Sequence, residues 1–306
     1  MTSNERSARP APKTSRRRDA RARRPGRRRS EQELAHTRKS PLLTATMWLV
    51  ALVYGFPVLW FLLSSFKPGG ELFSFPLSFF PRQWTVDGYA QAWTRFDFAT
   101  YFKNTLIVAS TTTVLTVIVS AATGYALAKY SNRWLKVLFV ALLMTTMLPT
   151  EVILSPTFLV IRDLGLYNRL AGLVMPSIMT ATGVFMFRQF FITVPDELLE
   201  AARIDGSGEL STFFRIMAPL SRPTMLTLAI FSFQWRWNDY IWPLIVISDK
   251  NKFTLQVALR SIVGAENINW TVLLGASIIS IVPLLIIYLV FQRNIMGADL
   301  STGIKD

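Results

Sequence analysis

Glu200-Ala201-Ala202-Arg203-Ile204-Asp205-Gly206, continued by Phe213-Phe214-Arg215-Ile216-Met217-Ala218-Pro219, is the stretch on which the reading of this chain turns. It is a polar island of about thirty residues between long apolar runs, so it belongs in water at a membrane face while its flanks belong in lipid. Pro195 fits a first helical turn, where its missing N–H has no partner to lose, and Asp196 and Glu197 place negative charge at the positive end of the helix dipole. Gly206 can take the left-handed conformation that stops a helix. Beyond it, Leu210, Phe213, Phe214 and Met217 recur at i, i+3, i+4 and i+7, which predicts a second helix with one apolar stripe, limited by Pro219. The expected result is an exposed helix, a sharp bend and a buttress. Ala201 and Ala202 are small enough to let the exposed helix lie close inside a partner's groove, with Glu200 and Asp205 free to bond to that partner.

The 306 residues are 51% hydrophobic with a mean hydropathy of +0.33, too apolar for an ordinary soluble domain and expected of a polytopic membrane protein. The absence of Cys, with His36 the one His, excludes thiol catalysis, Cys-ligated metal sites and disulfides. Residues 1–39 hold fourteen Lys/Arg against four Asp/Glu, a net of +10 within a total of +14. Residues 1–40 have no apolar periodicity and are expected to be a disordered cytoplasmic tail that anchors topology and attracts anionic lipid, not nucleic acid. The apolar run that follows is long enough to span, which argues against a cleavable signal peptide.

Six apolar runs predict six transmembrane helices, over 45–66, 105–128, 135–161, 170–192, 225–247 and 270–291, within a membrane domain covering 41–306. The fold class is therefore all-α. Small residues in the second run, Gly124 among them, predict burial among other spans. Lys129, Arg133 and Lys136 crowd the next loop without an acid, which places that loop, the tail and both termini in the cytoplasm. The count then puts the opening stretch in the cytoplasm as well. The third run is broken by Pro149 and carries Glu151 in its outer half. The fifth contains Trp235-Arg236-Trp237-Asn238-Asp239-Tyr240-Ile241-Trp242-Pro243, and charges at that depth must pair or face a water-filled cavity.

The opening stretch resembles the EAA loop of ABC-importer permeases: Glu200, Ala201, Ala202, Gly206, Ile216 and Pro219 fall at the family spacing, and Ala218 replaces the usual Leu. In that family the loop is the coupling helix that docks on a cytoplasmic ATPase. After Ser40 the chain resembles the carbohydrate-type, MalG-like subfamily of binding-protein-dependent transport, in Ser65-Phe66-Lys67-Pro68, Tyr101-Phe102-Lys103-Asn104-Thr105, Met147-Leu148-Pro149, Trp237-Asn238-Asp239 and the closing Gly303-Ile304-Lys305.

The resemblance implies an importer of a sugar or oligosaccharide in the cell membrane of a bacterium. Its other parts are a second homologous permease, an ATPase dimer and an extracytoplasmic sugar-binding protein. The chain has no Walker-type Gly-rich loop, so ATP and Mg belong to the partner ATPase and no cofactor or metal to this chain. Glu200, Ala201, Ala202, Asp205, Gly206, Ile216 and Pro219 are the coupling residues implied. Glu151, Trp235, Trp237, Asn238, Asp239 and Trp242, with Arg236, are candidates for the substrate path or gate, carboxylates meeting hydroxyls and indoles stacking on sugar rings. The same residues also fit an outer aromatic belt with an ion pair between helices. A glycerol-phosphate permease is the alternative solute class. A membrane enzyme of lipid-linked sugars would need an acid/base or metal constellation at a membrane face, and a secondary transporter paired broken helices. Neither accounts for the opening stretch.

Overall fold

The computed structural model describes residues 41–264 and 267–300, so the basic tail and the closing Gly303-Ile304-Lys305 lie outside the described residues. Among the described residues the chain is helical and contains no strand. The described residues divide into two units, with the boundary between Pro57 and Val58. In the first, helix α1 (Pro41–Ser64) exposes almost every side chain as far as Pro57, as expected of a surface that lipid covers.

The second unit continues with α2 (Asp87–Arg95), α3 (Phe98–Lys129), α4 (Arg133–Thr145), α5 (Thr150–Asp163), α6 (Leu170–Val174), α7 (Ala181–Thr193) and α8 (Glu197–Ile204). After these come α9 (Glu209–Thr212), α10 (Arg222–Trp237), α11 (Ile241–Val246), α12 (Leu255–Val263) and α13 (Trp270–Leu300). By length and composition α1, α3 and the Trp270–Gln292 part of α13 can each cross a membrane. Three bent pairs qualify when each is taken as one span: α4 with α5 at 113°, Leu170–Ser177 with α7 at 42°, and Glu209–Leu220 with α10 at 77°.

Prolines set the first of these breaks and a further one between α10 and α11. A proline removes the hydrogen bond to the carbonyl four residues earlier, and its ring clashes with that carbonyl. Pro149 acts on Thr145, where α4 ends, and Pro243 acts on Asp239, inside the gap between α10 and α11. The fifth apolar run, expected as one helix over 225–247, is therefore two helices separated at Asn238-Asp239-Tyr240. Asn and Asp are also poor helix formers, because their side chains compete for nearby backbone groups.

Helix α3 is the centre of the second unit and packs mainly on α7 and α10. Its buried face is Thr112, Thr113, Thr116, Ser120, Ala121 and Gly124, the burial expected of small residues that let helices approach. At Gly124 the approach is so close that a Cβ would stand 2.6 Å from the Phe187 Cβ and 2.9 Å from the Arg188 amide nitrogen. One apolar cluster joins α3 and α7 to α8 and the turn after it through Tyr125, Phe187, Phe191, Leu199, Phe213 and Met217. A second gathers Phe98, Trp237, Leu255 and Val272, and a third Ile161, Leu173, Trp242 and Val246.

The segment between α1 and α3 is built by Ser65-Phe66-Lys67-Pro68. The fully buried Lys67 donates to the Ser78 carbonyl at 2.5 Å and lies over the Trp60 ring. Ser65 bonds to the Tyr89 hydroxyl at 2.6 Å. Glu71 accepts from the Ser78 hydroxyl and the Arg82 amide, which lower its carboxyl below the ordinary range. The Asn104-Thr105 pair explains a second motif: the Asn104 amide donates to the carbonyls of Asn251 and Phe253, and Thr105 Oγ1 accepts from the Leu255 amide at 2.7 Å. The loop between α11 and α13 is thus strapped to the start of α3 and folds as the amphipathic α12, with Leu255, Val257, Ala258 and Ile262 inward.

Candidate functional site

Helix α8 begins at Glu197, two residues later than a helix started by Pro195. Asp196 occupies the N-cap position and Pro195 lies before it, outside the helix. The Asp196 carboxylate does not cap; it accepts from Lys129 Nζ at 2.6 Å, and the same ammonium donates to the Val194 carbonyl at 2.5 Å. Helix α8 then buries Leu199 and Ala202 and exposes Glu200, Ala201 and Ile204. Ala202 therefore packs into its own chain and not into a partner's groove, which leaves Ala201 as the small outward residue.

Gly206 ends the helix with φ +77°. The Gly206 amide donates to the Arg203 carbonyl at 3.0 Å and the Ser207 amide to Ala202 at 2.9 Å, the paired bonds of a Schellman close. A Cβ at Gly206 would meet nothing within 4 Å, so the requirement is backbone conformation, not space.

Beyond the bend, the expected single stripe is split. Phe213 and Met217 are buried, whereas Leu210 and Phe214 are 77% and 61% exposed. The π turn over Phe213–Met217 changes the winding between Phe214 and Met217, while the Phe214 ring still meets Phe213 edge-on at 5.0 Å. Ile216 packs partly buried against the cluster beneath α8, and Pro219 sits in the closing turn Ala218–Leu220. Ile204, 86% exposed, Leu210 and Phe214 are thus apolar side chains left open in the same loop as Glu200 and Asp205. Among the described residues no ion pair or side-chain hydrogen bond takes up the carboxylates of Glu200 or Asp205.

Arg203 and Glu209 of the same stretch are paired. Arg203 donates through Nη2 and Nε to Glu209 Oε1, at 2.9 and 3.2 Å, and the Tyr130 hydroxyl donates to Glu209 Oε2 at 2.6 Å. The bond to Glu209 pushes the Tyr130 hydroxyl up to about 12, while the Tyr130 and Arg203 donors lower the Glu209 carboxyl. Sequence reading missed Lys129, Tyr130 and Glu209 as members of this site. The available signal was an excess of acid in residues 195–219, five Asp/Glu against two Arg, but the partners of Asp196 and Glu209 lie 67 and 79 positions away.

In the broken fifth run, Arg236 Nη1 pairs with Asp239 Oδ2 at 3.0 Å and donates to Ser177 Oγ at 2.9 Å. Ser177 also accepts, at its carbonyl, from Thr116 Oγ1 at 2.6 Å. Trp237 is fully buried, stacked on Phe233, edge-on to Phe102, with its indole N–H on the Ser280 carbonyl. Trp242 is buried with its N–H on the Gly172 carbonyl. Both indoles pack between helices, with each N–H taken up by a backbone carbonyl. Trp235 is 44% exposed and stacks on Phe231. Asn238 is exposed, as is Glu151 in the first turn of α5.

The arrangement defines a class: a polytopic helical membrane protein in which the polar stretch after α7 presents a short, clamped, outward-facing helix. The sequence profile of the binding-protein-dependent transport system inner membrane component matches residues 120–296, and the chain belongs to that family of ABC-transporter permeases. It is 35% identical over 268 residues to the arabinooligosaccharides transport system permease protein AraQ of Bacillus subtilis, covering 86% of this chain and 95% of that one. It is 33% identical over 256 residues to the diacetylchitobiose uptake system permease protein NgcG of Streptomyces coelicolor, covering 82% and 84%. The sn-glycerol-3-phosphate transport system permease protein UgpE of Yersinia pestis is 36% identical over 198 residues, covering 64% and 70%. The fold matches a chain of a bacterial ABC transporter that imports the acidic polysaccharide alginate, with a TM-score of 0.75, 24% identity, and coverage of 87% and 97%. As an inner-membrane component of such a system the chain is a multi-pass transport subunit, not an enzyme, and works with an ATPase and a substrate-binding protein.

Proposed function

We propose that this chain is one of two homologous permease subunits of an importer for a sugar or oligosaccharide, and that α8 is the helix through which a partner ATPase dimer drives it. Residues 41–306 form the membrane domain, crossing six times with both termini in the cytoplasm. ATP and Mg act on the partner ATPase, and an extracytoplasmic sugar-binding protein delivers the solute. The observation that carries the reading is α8 itself. It is held at both ends, it is closed by Gly206, and it leaves Glu200, Asp205, Ala201 and the apolar Ile204 outward. Closure of the ATPase dimer pulls this surface and shifts the spans between inward-facing and outward-facing populations. Glu151, Trp235, Asn238 and Asp239 line the path or its gate. Trp237 and Trp242 hold the helices that carry them.

The solute class rests on the named substrates of the relatives, and UgpE supports glycerol phosphate as a second reading. The test is uptake by membranes carrying the whole importer of three labelled solutes: an arabino-oligosaccharide, diacetylchitobiose and sn-glycerol 3-phosphate. ATP-dependent uptake of either carbohydrate supports the first reading. Uptake of the phosphate ester alone replaces it with the second.

A further inference from the structure

Helix α8 has eight residues, too few to persist in water on its own. Its position must come from what it touches. Leu199 and Ala202 contribute one apolar side, set in the cluster of Tyr125, Phe213 and Met217. Two polar clamps do the rest, and both come from consecutive residues at the end of α3. Lys129, its side chain only 5% exposed, grips the start of α8 through Val194 and Asp196. Tyr130 grips the far side through Glu209, which in turn holds Arg203 in the last turn of α8. The Tyr125 ring, one turn earlier, packs edge-on to Tyr130 and Phe191 and against Phe213.

The other end of α3 is also fixed. Asn104 and Thr105 hold the Asn251–Leu255 segment, as described above. The residues between Thr105 and Lys129 form unbroken α-helix without an internal proline, so they make a rod of about 36 Å. Kinked or broken elements flank it: α4 with α5, α6 with α7, and α10 with α11.

We propose that α3 is the transmission rod of this subunit, with Lys129 and Tyr130 the positioning residues that bind the coupling helix to it and Asn104 and Thr105 those that bind the segment at its far end. This rests on the coupling role of α8 proposed above. A displacement of α8 then moves α3 as one body and reaches the Asn251–Leu255 segment without passing through the bent pairs. Lys129 and Tyr130 contact neither solute nor nucleotide; they act by keeping α8 and α3 rigid.

The absence of Cys in the chain allows single reporters in the complete importer. Spin labels at Thr111→Cys and Glu197→Cys measure the distance between α3 and α8 with and without bound ATP. In a separate sample, Asn251→Cys is challenged with a membrane-impermeant thiol reagent in the same two states. One narrow distance, unchanged by ATP, is expected, together with an ATP-dependent change in the Asn251→Cys labelling rate. Lys129→Met and Glu209→Gln should broaden the distance and reduce the labelling response to ATP by about fivefold or more. The charge-swapped pair Lys129→Asp with Asp196→Lys should restore both, which a purely steric role would not allow. A wild-type distance that changes with ATP overturns the proposal. So does an unaltered labelling response in both single variants, or their loss with no recovery in the swap. Failure of the coupling reading itself is recognised separately, by wild-type retention and wild-type activity of the ATPase in Glu200→Lys.

Discussion

Two of the charged clusters of this subunit are assembled in opposite ways. Arg236 and Asp239 are three positions apart and meet within one turn, with side chains 23% and 20% exposed. The clamps of the coupling loop join residues 67 and 79 positions apart and lie at the surface, apart from the Lys129 side chain. In the span break both charges are consumed locally and Arg236 adds a tie to Ser177, as befits a site where an unpaired charge is costly. In the stretch around α8 the pairs take up Asp196, Arg203 and Glu209 and leave Glu200 and Asp205 open, with Glu197 and Arg215 also outside them. The difference separates charge that holds the fold from charge directed at a partner, and each variant below tests one side of it.

The largest effect is expected at the span break. Trp237→Ala removes a fully buried indole and should destabilise the subunit by about 3 to 5 kcal/mol, read as a loss of thermally resistant complex in detergent. Trp237→Phe keeps the stacking and loses the bond to Ser280, about 1 kcal/mol. Trp235→Ala, in the same word of sequence but exposed, should stay within about 0.5 kcal/mol of wild type. Equal losses at 235 and 237 would contradict the packing role given to Trp237.

Next comes Glu200→Lys. If Glu200 meets the ATPase in a charge-assisted contact, reversal costs about 2 to 5 kcal/mol of that interface. Pull-down through this subunit should recover less ATPase, and solute-stimulated hydrolysis should fall while the spans still insert. Asp196→Asn, whose carboxylate is directed inward at Lys129, should keep the ATPase attached. If Asp196→Asn releases the ATPase and Glu200→Lys does not, the division between inward and outward charge is wrong.

Gly206 sharpens the comparison further. A β-branched residue is costly at φ +77°, whereas Asn tolerates the left-handed region. With open space around the position, Gly206→Val should abolish uptake and Gly206→Asn should retain most of it. Similar losses in both would point to space or contact at Gly206, not to its backbone conformation.

What the sequence made legible follows the range of the interactions involved. Local chemistry was readable: the apolar runs, the break at Pro149, the burial of the Thr-, Ser- and Ala-rich second run, and a helix ending at Gly206. Each depends on residues within a few positions of one another. The split of the stripe at Leu210 and Phe214 was not readable, because a π turn rephases a pattern that assumes ordinary helix winding. Nor was the burial of Trp237 and Trp242, since an indole beside Asn and Asp has the same composition whether it meets a sugar or a backbone carbonyl. Placing α12 between the fifth and sixth runs required knowing that Asn104 and Thr105 reach Asn251–Leu255, 147 to 150 positions away.

The smallest effect concerns titration and leaves function at neutral pH untouched. Tyr130 is raised to about 12 chiefly because its hydroxyl donates to the ionised Glu209, so its protonated form is favoured in the folded state. The stability this contributes is fully present below the ordinary tyrosine range near pH 10 and is lost as pH rises through about 12. Glu209 is shifted downward, so its contribution is present above the ordinary carboxylate range and is lost as pH falls through the lowered value. Between these limits the clamp carries no proton change and the coupling loop should be insensitive to pH. The difference in ultraviolet absorbance between wild type and Tyr130→Phe isolates this one phenol. Its titration should centre near 12 in wild type and move back toward 10 in Glu209→Gln. An unchanged midpoint in Glu209→Gln would mean that burial and not the carboxylate governs Tyr130, and would remove the electrostatic half of the clamp at the far end of α8.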